Sequence, residues 1–134
     1  MNKDKSELED DGWCFACGIH NPNSLHLMFK TEGEYLTTTF KPNRTHQGYK
    51  GILHGGIICT LLDEVMAWSA IEYGKPAVTA RLEVRYLKPA STDGTLEARA
   101  RVVVEKKRLI KVEAELYEIG VGCVAKAKAD LLPL

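Results

Sequence analysis

One stretch of this chain has helical periodicity, and it is apolar around most of its circumference. Ile57, Ile58, Leu61, Leu62, Val65, Met66, Trp68 and Ile71 recur at helical spacing over about four turns from His54. Gly74-Lys75-Pro76 supplies the stop, with Gly at a C′ position and Pro just beyond. A helix with so little polar surface is buried. The rest of the chain must therefore cover it, and the rest of the chain reads as β.

Two extended runs precede the helix, Leu25–Lys30 and Glu34–Phe40, with Glu32-Gly33 between them as a hairpin turn. Asn21-Pro22-Asn23-Ser24 reads as an earlier turn, and Lys41–Leu53, with Pro42, Gly48 and Gly51, as a loop. After the helix, Ala80, Leu82, Val84 and Tyr86 alternate with Arg81, Glu83, Arg85 and Leu87. Leu96, Ala98, Ala100, Val102 and Val104 form the apolar side of the next run, and Ile110, Val112, Ala114 and Leu116 that of the third. Thr92-Asp93-Gly94 and Glu105–Arg108 are the turns between, Gly120–Gly122 ends the third run, and Cys123–Leu132 forms the last. One apolar and one polar face per strand is the signature of an antiparallel sheet solvated on one side. The simplest arrangement is a curved sheet wrapped around one central helix.

The 134 residues fit one domain, 1–134, with a polar and mostly acidic flexible tail over 1–12. Lys+Arg and Asp+Glu balance at 18 each, which argues against a nucleic-acid partner. The tail lacks the apolar stretch of a signal peptide, and no run reaches the ~18 apolar residues of a bilayer span. The expectation is a cytoplasmic protein without a membrane partner. Cys14-x-x-Cys17, with His20 and His26 after it, has some of the spacing of a zinc site, but the second pair is loose. A redox pair lacks a thioredoxin-like strand–helix context. The favoured reading is two reduced cysteines packing the N-terminal loop, with no metal.

Chemistry concentrates in Gly51–Trp68. Gly55 and Gly56 leave the N–H groups at the helix start unshielded, where unpaired donors and the positive dipole end would stabilise an oxyanion. Asp63 lies mid-helix among Cys59, Thr60, Ala67 and Ala70, a face of small residues that invites close approach by another body. Glu64 lies toward Trp68 and Leu61 as a rim residue and the alternative acid. Gly55 and Asp63 are eight residues apart, roughly 12 Å along one helix, so one carbonyl cannot touch both. If both act on one substrate, a second copy must supply one of them, which predicts a homodimer or a dimer of dimers with composite sites.

These residues resemble the hotdog-fold acyl-CoA thioesterases of the phenylacetate-degradation and 4-hydroxybenzoyl-CoA thioesterase groups. The resemblance rests on three motifs in order: Cys14-Phe15-x-Cys17-Gly18-x-x-Asn21-Pro22 with Leu25-x-Leu27; Gly51-x-x-His54-Gly55-Gly56 with Asp63 nine residues after the His; and Val78-Thr79-Ala80-x-Leu82-x-Val84-x-Tyr86-x-x-Pro89. It implies an α+β hotdog fold, one long helix wrapped by a curved antiparallel sheet of about five to six strands, and hydrolysis of an acyl-CoA substrate. Asp63 would be nucleophile or general base, the Gly55 N–H would polarise the carbonyl, His54 would position carbonyl or loop, and Thr79 would hold water or substrate opposite the acid. Gly56 and Glu64 would contact substrate. Many relatives carry Asn or Gln six residues before the His, where this chain has Gly48; Gln47 is the neighbouring candidate. No cofactor is implied, since hydrolysis uses water and the CoA belongs to the substrate. A hotdog hydratase or dehydratase, and a non-catalytic acyl-CoA-binding protein, are the competing readings.

Overall fold

The computed structural model describes residues 8–72, 74 and 76–133. Its elements in chain order are β1 (Phe29–Glu32), β2 (Tyr35–Phe40), α1 (Gly55–Glu72), β3 (Ala77–Tyr86), β4 (Leu96–Lys106), β5 (Leu109–Glu118) and β6 (Gly122–Pro133), with a 3-10 turn at Arg44–His46. The six strands form one antiparallel sheet in the order β1-β2-β4-β5-β6-β3. This is the hotdog arrangement that the sequence predicts.

The core lies between α1 and the concave face of the sheet. Leu61, Leu62, Val65 and Met66 are completely buried and meet Leu96, Ile110, Val112, Leu116 and Leu131. Each fully buried Leu or Met contributes about 1.5–3 kcal/mol. Where the helix crosses, the strands carry alanine, namely Ala98, Ala100, Ala114, Ala125, Ala127 and Ala129, which lets the helix lie close to the sheet. Ala70, expected on the Asp63 side, is fully buried, while Ile71 is exposed. The other small neighbours, Cys59, Thr60 and Ala67, stay half-buried beside Asp63.

Two departures from the expected strands have clear physical causes. Leu25 and Leu27 are buried as expected, but their N–H groups bond to the carbonyls of Phe15 and Ala16 (2.9 and 3.0 Å), so this segment holds the N-terminal loop and the strand starts only at Phe29. The second concerns β3. Its register against β6 shifts between Thr79 and Arg81, leaving Ala80 as a bulge. Thr79 stands opposite buried Leu131, and Leu82 opposite buried Ala129. Cross-strand partners share a face, so the bulge turns Thr79 to the helix side, where strict alternation would have placed Ala80. Of the expected tail, residues 1–7 lie outside those described, and 8–12 form neither helix nor strand. Gly74, at φ +78°, bonds its N–H to the Ile71 carbonyl at the helix end as expected; Lys75 lies outside the described residues.

Candidate active site

The helix start is built by His54. Its carbonyl accepts from the N–H groups of Ile57 and Ile58 (3.0 and 3.3 Å), and its Nδ1 accepts from the Gly56 N–H at 2.8 Å. Because Nδ1 accepts, a neutral ring carries its proton on Nε2. A Cβ on Gly56 would lie 3.0 Å from that Nδ1, so glycine here makes room for the capping ring. Three of the first four helical donors are thus occupied. Among the described residues, no hydrogen bond reaches the remaining one, the N–H of Gly55. An unpaired donor at the positive end of the helix dipole is suited to a developing negative charge.

The loop before the helix fixes this geometry. Asn43 caps the 3-10 turn, its N–H donates in return to His46 Nδ1 (3.0 Å), and the His46 carbonyl accepts from the His54 N–H (2.9 Å). Burial holds the His46 ring below the ordinary histidine pKa, which favours the neutral, accepting form. Gln47 pairs with Leu53 through the backbone, and its Oε1 accepts from the Gly51 N–H at 3.2 Å. Its side chain therefore closes the turn that delivers His54.

Asp63 is half-buried, and its Oδ1 accepts from the Thr79 hydroxyl at 2.8 Å. The acid and the threonine implied by the resemblance thus meet within one chain, through the β3 bulge. The bond fixes one carboxylate oxygen. Glu64 goes elsewhere: its Oε2 accepts from the Trp68 indole N–H (3.2 Å) and the Cys14 thiol (3.4 Å), away from the Asp63–Thr79 pair. Burial, reinforced by Glu64, pushes the Cys17 thiol well up, so it stays protonated at neutral pH.

Tyr86 is a residue whose role the sequence reading missed. Its hydroxyl donates to the Gly55 carbonyl at 2.9 Å and lies 2.9 Å from Cys59 Sγ, which pins the first helical turn to the end of β3. Burial, with Cys59 adding to it, pushes its pKa up to about 12, so the phenol is a donor throughout the neutral range. The available signal was the alternation that puts Tyr86 on the helix side of β3 with Leu82 and Val84. Tyr86→Phe should lower kcat about tenfold with little change in KM, because the Gly55 amide loses its aim. Thermal stability should fall by less than about 1 kcal/mol; steady-state kinetics and a melting curve check both.

Two surface concavities lie on the outer face of the sheet. One of about 350 Å³ is lined by Arg85, Arg99, Arg101, Glu113, Glu115 and Lys126, far in character from an acyl pocket.

The family model described as the thioesterase superfamily matches residues 50–125, from just before the helix start into the first residues of β6. The chain belongs to the thioesterase superfamily. Thioester hydrolysis is accordingly its enzyme class. An esterase-named protein of Saccharolobus solfataricus is 32% identical over 108 residues, 78% of this chain and 71% of its own length. Acyl-coenzyme A thioesterase 13 of Mus musculus is 29% identical over 66% of this chain, which spans 65% of that protein. The Streptococcus mutans UA159 protein smu.793, solved bound to acetyl CoA, superposes with a TM-score of 0.76 at 26% identity, covering 81% of this chain and 88% of that one. The matched segment of this thioesterase-superfamily chain contains His54, Gly55, Asp63, Thr79 and Tyr86 together.

Proposed function

We propose that this protein hydrolyses an acyl-CoA thioester to the free acid and CoA, with Asp63 as nucleophile or general base and the Gly55 N–H as oxyanion donor, in a site shared by two copies of the chain. The observation that carries this is the division of labour along α1. An unbonded amide sits at its start, and a carboxylate aligned by Thr79 sits eight residues on, roughly 12 Å away. In the water-activating form, Asp63 takes a proton from water as its oxygen adds to the thioester carbon. The oxyanion is held by the Gly55 N–H, and its collapse expels the CoA thiolate, which takes up the proton. In the nucleophilic form, an Asp63 oxygen adds to the thioester carbon and the CoA thiolate is expelled, leaving an anhydride; water opens it to the Asp63 carboxylate and the free acid, and its released proton goes to the thiolate. His54 and Gln47 set the position of Gly55, and Gly56 leaves the approach open.

The pairing of copies has support in the sheet edge. β3 is ten residues long and, among the described residues, pairs with β6 only, leaving its other edge open, with Val78 exposed. A long unpaired edge with apolar side chains is a template for strand pairing. Two β3 edges meeting across a two-fold would bring the start of one helix toward the middle of the other. The coenzyme A thioesterase relative and the acetyl-CoA-bound neighbour support CoA as the leaving group.

Thiol release measured on short, medium, long and aryl acyl-CoAs tests the reading. At least one class should give turnover with equal amounts of thiol and free acid. Binding without thiol release, or hydration of an enoyl-CoA without loss of CoA, would overturn it.

A further inference from the structure

The thioester chemistry leaves three polar side chains without a role. Cys14 and Cys17 come from the N-terminal loop and Glu64 from α1, and one ligand atom from each lies within 4.8 Å of the other two. All three are half-buried. Cys14 Sγ stands 3.4 Å from Glu64 Oε2. Tetrahedral coordination with metal–sulfur and metal–oxygen bonds of about 2.3 and 2.0 Å gives a ligand–ligand edge of about 3.5 Å.

The surroundings are arranged around these donors. The Ala16 N–H donates to Cys14 Sγ at 3.3 Å, and the Gly18 N–H to the Cys14 carbonyl at 2.8 Å, folding the loop tightly about the first sulfur. A Cβ on Gly18 would lie 2.6 Å from the carbonyl oxygens of Cys14 and Gly12, so the loop closes this way only with glycine. The Trp68 indole N–H orients the Glu64 carboxylate, as outer partners of metal ligands do. Leu25 and Leu27 bond to the Phe15 and Ala16 carbonyls and keep the loop against the body of the protein. Packing alone accounts for buried cysteines, but it does not account for aiming two sulfurs at a half-buried carboxylate. Thiols are weak donors and satisfy such a group poorly. Two sulfurs and one oxygen suit a thiophilic divalent ion and not Mg²⁺ or Ca²⁺, which take oxygen ligands.

We propose that Cys14, Cys17 and Glu64 bind one thiophilic divalent cation of the Zn²⁺ class, which fastens the N-terminal loop to α1 and keeps a fourth position for water or a small ligand. Binding replaces the two thiol protons, which go to solvent, with two metal–sulfur bonds, and no oxidation state changes. The site is independent of the thioester reaction. His20 and His26, the second pair that the spacing offered, are not in the cluster.

Co²⁺ added to the reduced, metal-stripped full chain is the probe. One equivalent should give thiolate-to-cobalt charge-transfer absorption with the visible bands of tetrahedral Co²⁺, and Zn²⁺ should displace it. Cys14→Ser and Cys17→Ser should abolish the signal. Glu64→Gln should weaken binding at least about tenfold, the scale on which even outer-shell losses act, and the His20→Asn, His26→Asn double variant should leave it unchanged. Zn²⁺ should raise the melting temperature of the wild type and not of the cysteine variants. Should a serine variant fail to fold, native mass spectrometry of the wild type for one bound Zn²⁺, together with Glu64→Gln, decides. The proposal is overturned if the folded, reduced wild type shows no charge-transfer band, if the band survives Cys17→Ser, or if the pair closes to a disulfide while its reduced form takes up no metal.

Discussion

Asp63→Asn should lower the rate of CoA release by about 10³-fold, with KM nearly unchanged and the melting temperature close to that of the wild type. The size follows from the loss of the group that activates or provides the nucleophile, a term that typically spans 10²–10⁴. The stability should hold because the amide oxygen of Asn still accepts from the Thr79 hydroxyl, which is the carboxylate's protein contact on β3. Glu64→Gln serves as the internal comparison. Its carboxylate is engaged by Trp68 and Cys14, so that variant should retain turnover within about threefold, the loss that a small displacement of the helix could produce. The opposite pattern, with Asp63→Asn active and Glu64→Gln inactive, would move the acid to Glu64. Single turnover in ¹⁸O-water separates the two roles of Asp63. Label enters the carboxylate of the enzyme if Asp63 attacks the thioester and water opens the anhydride at the Asp63 carbon, and only the product acid if Asp63 activates water.

Much of this was legible in the sequence because it is periodic. α1 and the faces of β4 and β5 follow from apolar spacing, since a helix and a half-buried strand each impose their own period. The Gly55 amide was legible from His-Gly-Gly at a helix start, although the cap formed by the His54 ring on Gly56 needed coordinates. What stayed hidden is non-local. The inward aim of Thr79 depends on the bulge at Ala80, and the alternating pattern places Thr79 on the outer face with Arg81. Leu25 and Leu27 alternate equally well whether their backbone partner is a strand or, as here, a loop. Glu64 could be placed beside Trp68 on a helical wheel, but no spacing joins it to Cys14, fifty residues earlier. Ala70 shows the limit of the wheel itself. It projects near Asp63, yet at the far end of the helix that side meets the sheet, and Ala70 is buried.

Gly55→Pro should lower kcat by 10² to 10³-fold, roughly the value of one oxyanion donor. Proline at the first helical position removes the N–H in question while suiting the helix start, where that donor has no backbone partner to lose. A Cβ there would meet the Tyr86 hydroxyl at 3.4 Å, an ordinary contact, so the substitution should fold. The larger consequence concerns mixtures. If each site takes Asp63 from one copy and Gly55 from the other, a dimer of one Asp63→Asn chain and one Gly55→Pro chain holds one site with both defects and one with neither. Co-refolding equal amounts should therefore restore about a quarter of wild-type activity, since half of the randomly formed dimers are mixed and each has one intact site. Each parent variant alone would remain at or below about one per cent. Sites complete within single chains would show no recovery at any mixing ratio, whatever the oligomeric state. Recovery therefore tests directly whether a second copy lying alongside bridges the roughly 12 Å between an amide and a carboxylate on one rod.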